Sequence, residues 1–256
     1  MTGLILRLAG PLQSWGERSA FSPERDTAAF PTRSGLIGMF SAAEGRSRHE
    51  DPRYYADLEF TVRIDRPGQR IEDFHTVGGG QPKDRTAATS GGARKGDAVI
   101  TRRYYLADAV FVVAVTGPEA DTARIARALH RPHWNPYLGR RSCVPDEPFL
   151  LRAHADDPVR ELLGHVPLSP RNTEDRPDVS PNEPLVDFVW ETYHRGPLPD
   201  GATTATAYDV PSSFAPHGRS HGTRTVHRTT EHLPDRPRTR QQELHQQLID
   251  YAKEEA

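Results

Sequence analysis

Alternating apolar and polar positions open the chain. Leu4, Leu6 and Leu8 share one side of a strand over Leu4 to Ala9, with Ile5, Arg7 and Ala9 on the other, until Gly10-Pro11 ends it. Within Pro31-Thr32-Arg33-Ser34-Gly35, Thr32 or Ser34 can cap a helix whose apolar positions are Leu36, Ile37, Phe40 and Ala43. Alternation returns at Leu58, Phe60, Val62 and Ile64, interleaved with Glu59, Thr61, Arg63 and Asp65, the pattern of a half-buried strand. Val110 to Val115 is apolar throughout, as in a central strand. After Gly117-Pro118, the residues Thr122, Ile125, Ala126 and Leu129 recur at helical spacing. A last strand falls at Pro148 to Arg152, or later at Leu185 to Trp190. This is the βαββαβ order of a ferredoxin-like α+β fold. Such a sheet carries helices on one face and leaves the other open to a ligand or partner.

Two strands are separated by an insertion, about 66–105, whose middle is rich in glycine and lacks aromatic residues. Between Thr76 and Ala107 the basic residues Lys83, Arg85, Arg94, Lys95, Arg102 and Arg103 face only Asp84 and Asp97, a local charge of +4. The insertion reads as an extended basic hairpin, or as a disordered surface loop. From Pro158 to Pro216 there are ten prolines and little periodicity, which predicts loops and short strands. The segment Thr239 to Lys253 reads as a helix with Leu244, Leu248 and Tyr251 on one side. The division expected is a ferredoxin-like domain over 1–152 and a Pro-rich region over 153–256 packed on it.

Composition narrows the function classes. At 256 residues the chain can bury a sizeable core, though only 35% of it is hydrophobic. The formal charge of -2 means that a basic face must come from local clustering. Only three of the 33 basic residues are lysine, a bias that codon usage in a GC-rich genome can produce. A lone cysteine, Cys143, excludes an internal disulfide framework and a cysteine-built zinc site. No apolar run approaches the roughly 20 residues that span a bilayer, and no signal peptide is visible, so a soluble cytoplasmic protein with no membrane contact is expected.

Few local motifs carry chemistry. His217 and His221 have a metal-compatible spacing, but Gly218 and Gly222 oppose a helix and no acidic ligand is near, so they read as solvated loop histidines. Gly78-Gly79-Gly80-Gln81-Pro82-Lys83 lacks the second glycine and the hydroxyl of a phosphate loop. No catalytic carboxylate pair, dinucleotide fingerprint, metal set or cofactor site is legible. Gly139-Arg140-Arg141 follows His133-Trp134-Asn135-Pro136-Tyr137-Leu138; it is either a phosphate-binding turn or an ordinary turn with solvated arginines. Trp15 either stacks on a base or packs into protein.

Longer stretches carry a resemblance. Leu4 to Gly16 (LILRLAGPLQSWG) resembles the opening of the CasD-type subunits of type I-E CRISPR Cascade, the Cas-five family of the RAMP superfamily. Phe30 to Gly38 is similar to that family's next motif, and Arg103 to Ala109 to the strand returning from its hairpin. Pro136 to Pro145 resembles its glycine-containing loop. Tyr208 to Phe214, with Arg219, Arg224 and Val226, resembles its C-terminal segment. The resemblance implies a non-catalytic RNA-binding subunit with a RAMP-type body and a projecting hairpin thumb. It implies as partners the 5′ handle of CRISPR RNA, CasC-type backbone subunits whose filament it caps, and the CasA-type large subunit. The RNA-binding residues it implies are Gln13, Ser14, Trp15, Arg33, Ser34, His75, Lys83, Arg85, Arg94, Lys95, Arg102, Arg103, Gly139, Arg140 and Arg141. Relatives in other CRISPR subtypes cut repeat RNA, so a metal-independent endoribonuclease using His75, Tyr104 and Lys95 is the alternative.

Overall fold

The computed structural model describes residues 2–17, 23–86, 93–94, 96, 98–170, 184–215, 218–233 and 241–254. In chain order the elements are β1 (Gly3–Ala9), β2 (Leu12–Gln13), β3 (Glu24–Arg25), α1 (Arg33–Ala43), β4 (Glu59–Arg66), β5 (Gln69–Val77), β6 (Val99–Ala107), β7 (Val110–Thr116), α2 (Glu119–His130), β8 (Leu150–Ala155), α3 (Pro158–Gly164), β9 (Leu185–Trp190), β10 (Thr203–Ser213), β11 (Ser220–His232) and α4 (Gln241–Lys253). The protein is mixed α+β. Seven strands form an antiparallel sheet in the order β10-β11-β9-β4-β7-β1-β8. The uniformly apolar β7 lies inside it, paired with β1 (Leu4 opposite Val115) and β4 (Phe60 opposite Val115). Both late strand candidates are strands, β8 and β9.

Each sheet face buries a separate apolar cluster. On one face Leu4, Leu6 and Leu8 meet Leu36, Ile37 and Phe40 of α1 and Ile125 and Leu129 of α2. The Thr32 hydroxyl caps α1, accepting from the Gly35 amide at 3.3 Å. The other face, expected to be open, is covered. Ile5, Val112 and Ala114 pack there with Leu162 of α3, Phe188 and Trp190 of β9, and Leu244, Leu248 and Tyr251 of α4. The expectation that β4 is half-buried fails for the same reason. Its polar side turns into this covered face, where Arg63 pairs with Asp65 at 2.7 Å and donates to the carbonyls of Leu162, Val166 and Pro167.

The Pro-rich half contributes more order than its composition predicts. β10 and β11 run for 11 and 13 residues and join the sheet through β9, rather than forming short strands and loops. A second sheet is built on β6. β5 pairs along its whole length, from Gln69 opposite Ala107 to Val77 opposite Val99. The other edge of β6 takes β2 at Leu106–Ala107 and, in parallel, β3 at Arg102–Arg103. β3 therefore ties the middle of β6 in the β5–β6 hairpin to the segment that precedes α1.

Candidate nucleic-acid interface

A cleft of about 1560 Å³ lies between α1 and the loop that follows α2, closed at one end by β3 and the start of β11. The loop runs alongside the helix, its register fixed by main-chain bonds. His133 and Trp134 donate to the carbonyls of Ala43 and Ala42 at 2.8 and 3.3 Å, and at the far end Ser14 donates to the Leu138 carbonyl at 3.0 Å. There Gly139 is left-handed, φ 83°, and a Cβ on it would sit 1.7 Å from the Ser14 carbonyl oxygen. Any other residue would force the loop off the Ser14–Trp15 segment. The amide of Gly139 donates to the Tyr137 carbonyl, so this glycine seats the loop on the floor of the cleft.

Charge on the walls is one-sided. Arg25, Arg46, Arg48, Arg140, Arg141 and Arg219 line the cleft against two carboxylates, Glu17 and Asp26. Arg46 is paired with Glu44 and Glu50. Arg140 lies over the Tyr105 ring at 4.5 Å, and its Nη2 donates to the Arg25 carbonyl at 3.2 Å. Its Nη1 is buried and has no acceptor among the described residues. Burial, then the charges of Arg103, Arg140 and Arg219, hold the Arg25 guanidinium below its ordinary pKa. Burial, then Arg219, lowers the pKa of His221, which sits half-buried on β11 rather than in a loop. Its sequence partner His217 lies outside the described residues. The rim carries Trp134, 52% exposed, with Tyr137, Tyr208 and Phe214. Arginines that bond phosphate and aromatic rings that accept bases are the equipment of a single-strand binding groove.

Six of the residues expected from the sequence meet at this cleft: Ser14, Trp15, Ser34, Gly139, Arg140 and Arg141. Trp15 is packed rather than presented. It is 1% exposed, its indole donates to Gln13 at 3.0 Å, and a Cβ on Gly35 would meet its ring at 2.8 Å. Gln13 is fully buried and bonds the carbonyls of Leu8 and Ala109. Arg33 is 7% exposed, with its guanidinium spent on Glu191 and on the carbonyls of Leu58, Tyr55 and Ala56. The expectation that Gln13 and Arg33 contact a ligand is therefore corrected: both are internal ties, because loop carbonyls and buried carboxylates reach them before solvent does.

The remaining candidates belong to the β5–β6 hairpin, which alternates its faces. His75, Thr101, Arg103 and Tyr105 share one face, and Phe74, Arg102 and Tyr104 the other. Arg103, near Arg25, continues the basic surface from the cleft. Arg102 lies 3.6 Å from Glu72. Lys83 and Arg85 occupy a short turn, where Arg94 bonds the Asp84 carbonyl; Lys95 lies outside the described residues. His75 and Tyr104 point to opposite faces, so the hairpin does not bring together these two members of the alternative cleavage set. Arg25, Arg46 and Arg48 carried no local signal as site residues; β3 places Arg25 here and the segment after α1 places Arg46 and Arg48, while the start of β11 brings in Arg219 and His221.

A family model described as CRISPR-associated protein (Cas_Cas5) matches residues 3–227. The chain belongs to this Cas5 family. The Cas5-family chain is 38% identical over 180 residues to "CRISPR system Cascade subunit CasD" of Escherichia coli (strain K12), a match covering 64% of this chain and 77% of the relative. Its fold superposes on a chain of a "CRISPR RNA-guided surveillance complex" with TM-score 0.80 and 47% identity, covering 98% of this chain and 99% of the other. A second solved structure, described as a Cas protein, matches at TM-score 0.57 and 29% identity over 93% of this chain and 99% of that one.

Proposed function

We propose that this chain is a non-catalytic subunit of a type I-E Cascade-type surveillance complex, holding the 5′ repeat-derived handle of CRISPR RNA. In this reading β1, α1, β4, β7, α2 and β8, with β4-β7-β1-β8 adjacent in that order, are the ferredoxin-like RAMP body, and the β5–β6 hairpin is its thumb. The subunit caps the filament of CasC-type backbone subunits beside the CasA-type large subunit. The observation that carries the reading is the cleft itself: six arginines against two carboxylates, with aromatic rings at the rim. The family membership supports it. A single strand with unstacked bases fits such a groove, where phosphates pair with guanidinium groups and bases stack on rings.

The test uses the chain co-expressed with its genomic neighbours and purified as a particle. Wild type should carry a discrete short RNA, lost progressively as salt rises. Gly38 gives a clean blocking position, because it lines the cleft and a Cβ there meets no atom within 4 Å. Gly38→Leu and Arg140→Ala should each leave the fold intact and lower RNA retention at least tenfold. Full retention in both variants would overturn the groove assignment. Site-specific cleavage of labelled repeat RNA by the purified chain, abolished in His75→Ala, would overturn the non-catalytic role.

A further inference from the structure

α1 has no acidic residue in its first turn, the place where a helix attracts negative charge. The carboxylate comes instead from Asp209 on β10, 176 residues along the chain, whose Oδ2 accepts from the Arg33 amide at 2.6 Å. A bulge brings Asp209 there. The pairing of β10 with β11 passes from Ala207 opposite Arg224 to Val210 opposite Gly222, so Tyr208 and Asp209 together stand against Thr223. Such a bulge re-aims side chains. Asp209 is buried, while Tyr208 is exposed and lines the cleft, its amide donating to Glu17 at 2.6 Å. The Asp209 carboxylate also closes a ring of four charges. Arg224 of β11 donates to it through Nε at 2.7 Å and Nη2 at 2.8 Å, and through Nη1 to Glu191 at 2.6 Å. Glu191, just after β9, accepts from the Arg33 guanidinium at 2.8 Å. Two cations and two anions balance within the ring. It fastens α1, one wall of the cleft, to the β10–β11 ribbon. Beyond the bulge that ribbon carries Phe214, Arg219, Ser220 and His221 to the end of the cleft.

We propose that Asp209 is a positioning residue for RNA binding: it touches no RNA, and through the ring it holds the far end of the β10–β11 ribbon against α1, where Arg219 and His221 meet the held strand. Arg33 acts in the same way, as a member of the ring. The proposal rests on the RNA-binding reading for the identity of the ligand alone; the tie between helix and ribbon is a property of the chain by itself.

Hydrogen exchange of the full chain, without RNA, reads the tie. Asp209→Asn keeps the shape but turns an acceptor into an amide donor that faces donors only. It should speed exchange about tenfold or more at the start of α1 and in 208–213 and 220–224, with β1 and β7 as slow as in wild type. Glu191→Gln opens the ring on its other side; it should act on the same segments, and it carries the test if Asp209→Asn does not fold. Unchanged exchange in both variants, or exchange raised equally across β1 and β7, would overturn the tie. Retention of RNA by the particle reads the positioning. Asp209→Asn should lower it about fivefold, and Arg219→Ala combined with His221→Gln about tenfold. Adding Asp209→Asn to that pair should lower retention no further, because the groups it positions are gone. Losses that multiply would overturn the positioning role. Wild-type retention by the Arg219→Ala, His221→Gln variant, with the ribbon still loosened by Asp209→Asn, would overturn RNA binding at this end of the cleft and leave the tie standing.

Discussion

At the scale of single residues, polar side chains in this chain divide by what reaches them first. Arg33, Arg63 and Gln13 look solvent-directed in the sequence, since each follows or interrupts an apolar pattern. Each is instead buried against main-chain carbonyls that a local reading cannot place, because those carbonyls come from distant loops. Burying such donors unpaired would cost about 1–3 kcal/mol each, so the partners are obligatory. His221 shows the reverse: a residue that reads locally as a solvated loop histidine, which the fold half-buries beside Arg219 and Asp209 at the cleft. Its depressed pKa has a definite sign. In the unfolded chain the imidazole takes up its proton near pH 6.5, whereas the folded chain takes it up only at lower pH. Between those values the unfolded state binds more protons, so stability falls as pH drops through that window and levels off beneath it. His221→Gln should flatten this part of a Tm-against-pH profile. Phosphates held in the cleft favour the protonated ring, so wild-type RNA retention should strengthen from pH 7.5 to 6 relative to His221→Gln. Parallel profiles for the two proteins would refute both effects.

At the scale of elements, legibility followed periodicity. α1 was readable because Leu36, Ile37 and Phe40 face the core and Thr32 supplies the cap, and β7 because Val110 to Val115 is apolar throughout. β2 and β3 are two residues long, too short for any period to register, yet they anchor both the Gln13–Trp15 segment and Arg25. The hairpin was visible as composition but not as two faces of different composition, since that depends on the β5–β6 register. The register now separates neighbouring arginines that the sequence treats as one pair. Arg103 shares a face with Tyr105 and lies near Arg25, while Arg102 projects from the opposite face toward Glu72. Exposed pairs such as Arg102–Glu72 contribute about 0–1 kcal/mol, so neither substitution should unfold the chain. Arg103→Ala should weaken RNA retention about tenfold or more, the loss of one charge-assisted bond of about 1.5–3 kcal/mol. Arg102→Ala should change it by less than about threefold. Measuring retained RNA per particle across a salt series checks this, and an equal loss in both variants would contradict the two-faced hairpin.

At the scale of the whole molecule, the two faces of the seven-stranded sheet are covered by different helices. α1 and α2 cover the face next to the cleft, and α3 and α4 cover the other. The covered second face escaped the sequence because what covers β1 and β7 comes from far along the chain: β9 pairs with β4 through Thr61 opposite Trp190, and α4 closes the cluster from beyond the last strand. The helix itself was legible from Leu244, Leu248 and Tyr251; what it covers was not. α4 lies outside the span matched by the family model, which ends at residue 227, yet all three apolar positions are buried. Tyr251 also donates to Glu161 of α3 at 2.9 Å and lies beneath the Arg152 guanidinium at 4.0 Å. This helix therefore belongs to the core. Leu248→Ala, at a residue 1% exposed, should cost about 2–5 kcal/mol by removing buried methyl groups and leaving a cavity. Because the cleft lies on the other side of the sheet, the same variant should retain RNA at the wild-type level below its unfolding transition. Denaturant unfolding and RNA retention measured on one preparation give both quantities. A stability loss under 1 kcal/mol would mean that α4 does not close the second face, and a loss of RNA with the fold intact would mean that the two faces are coupled through the sheet.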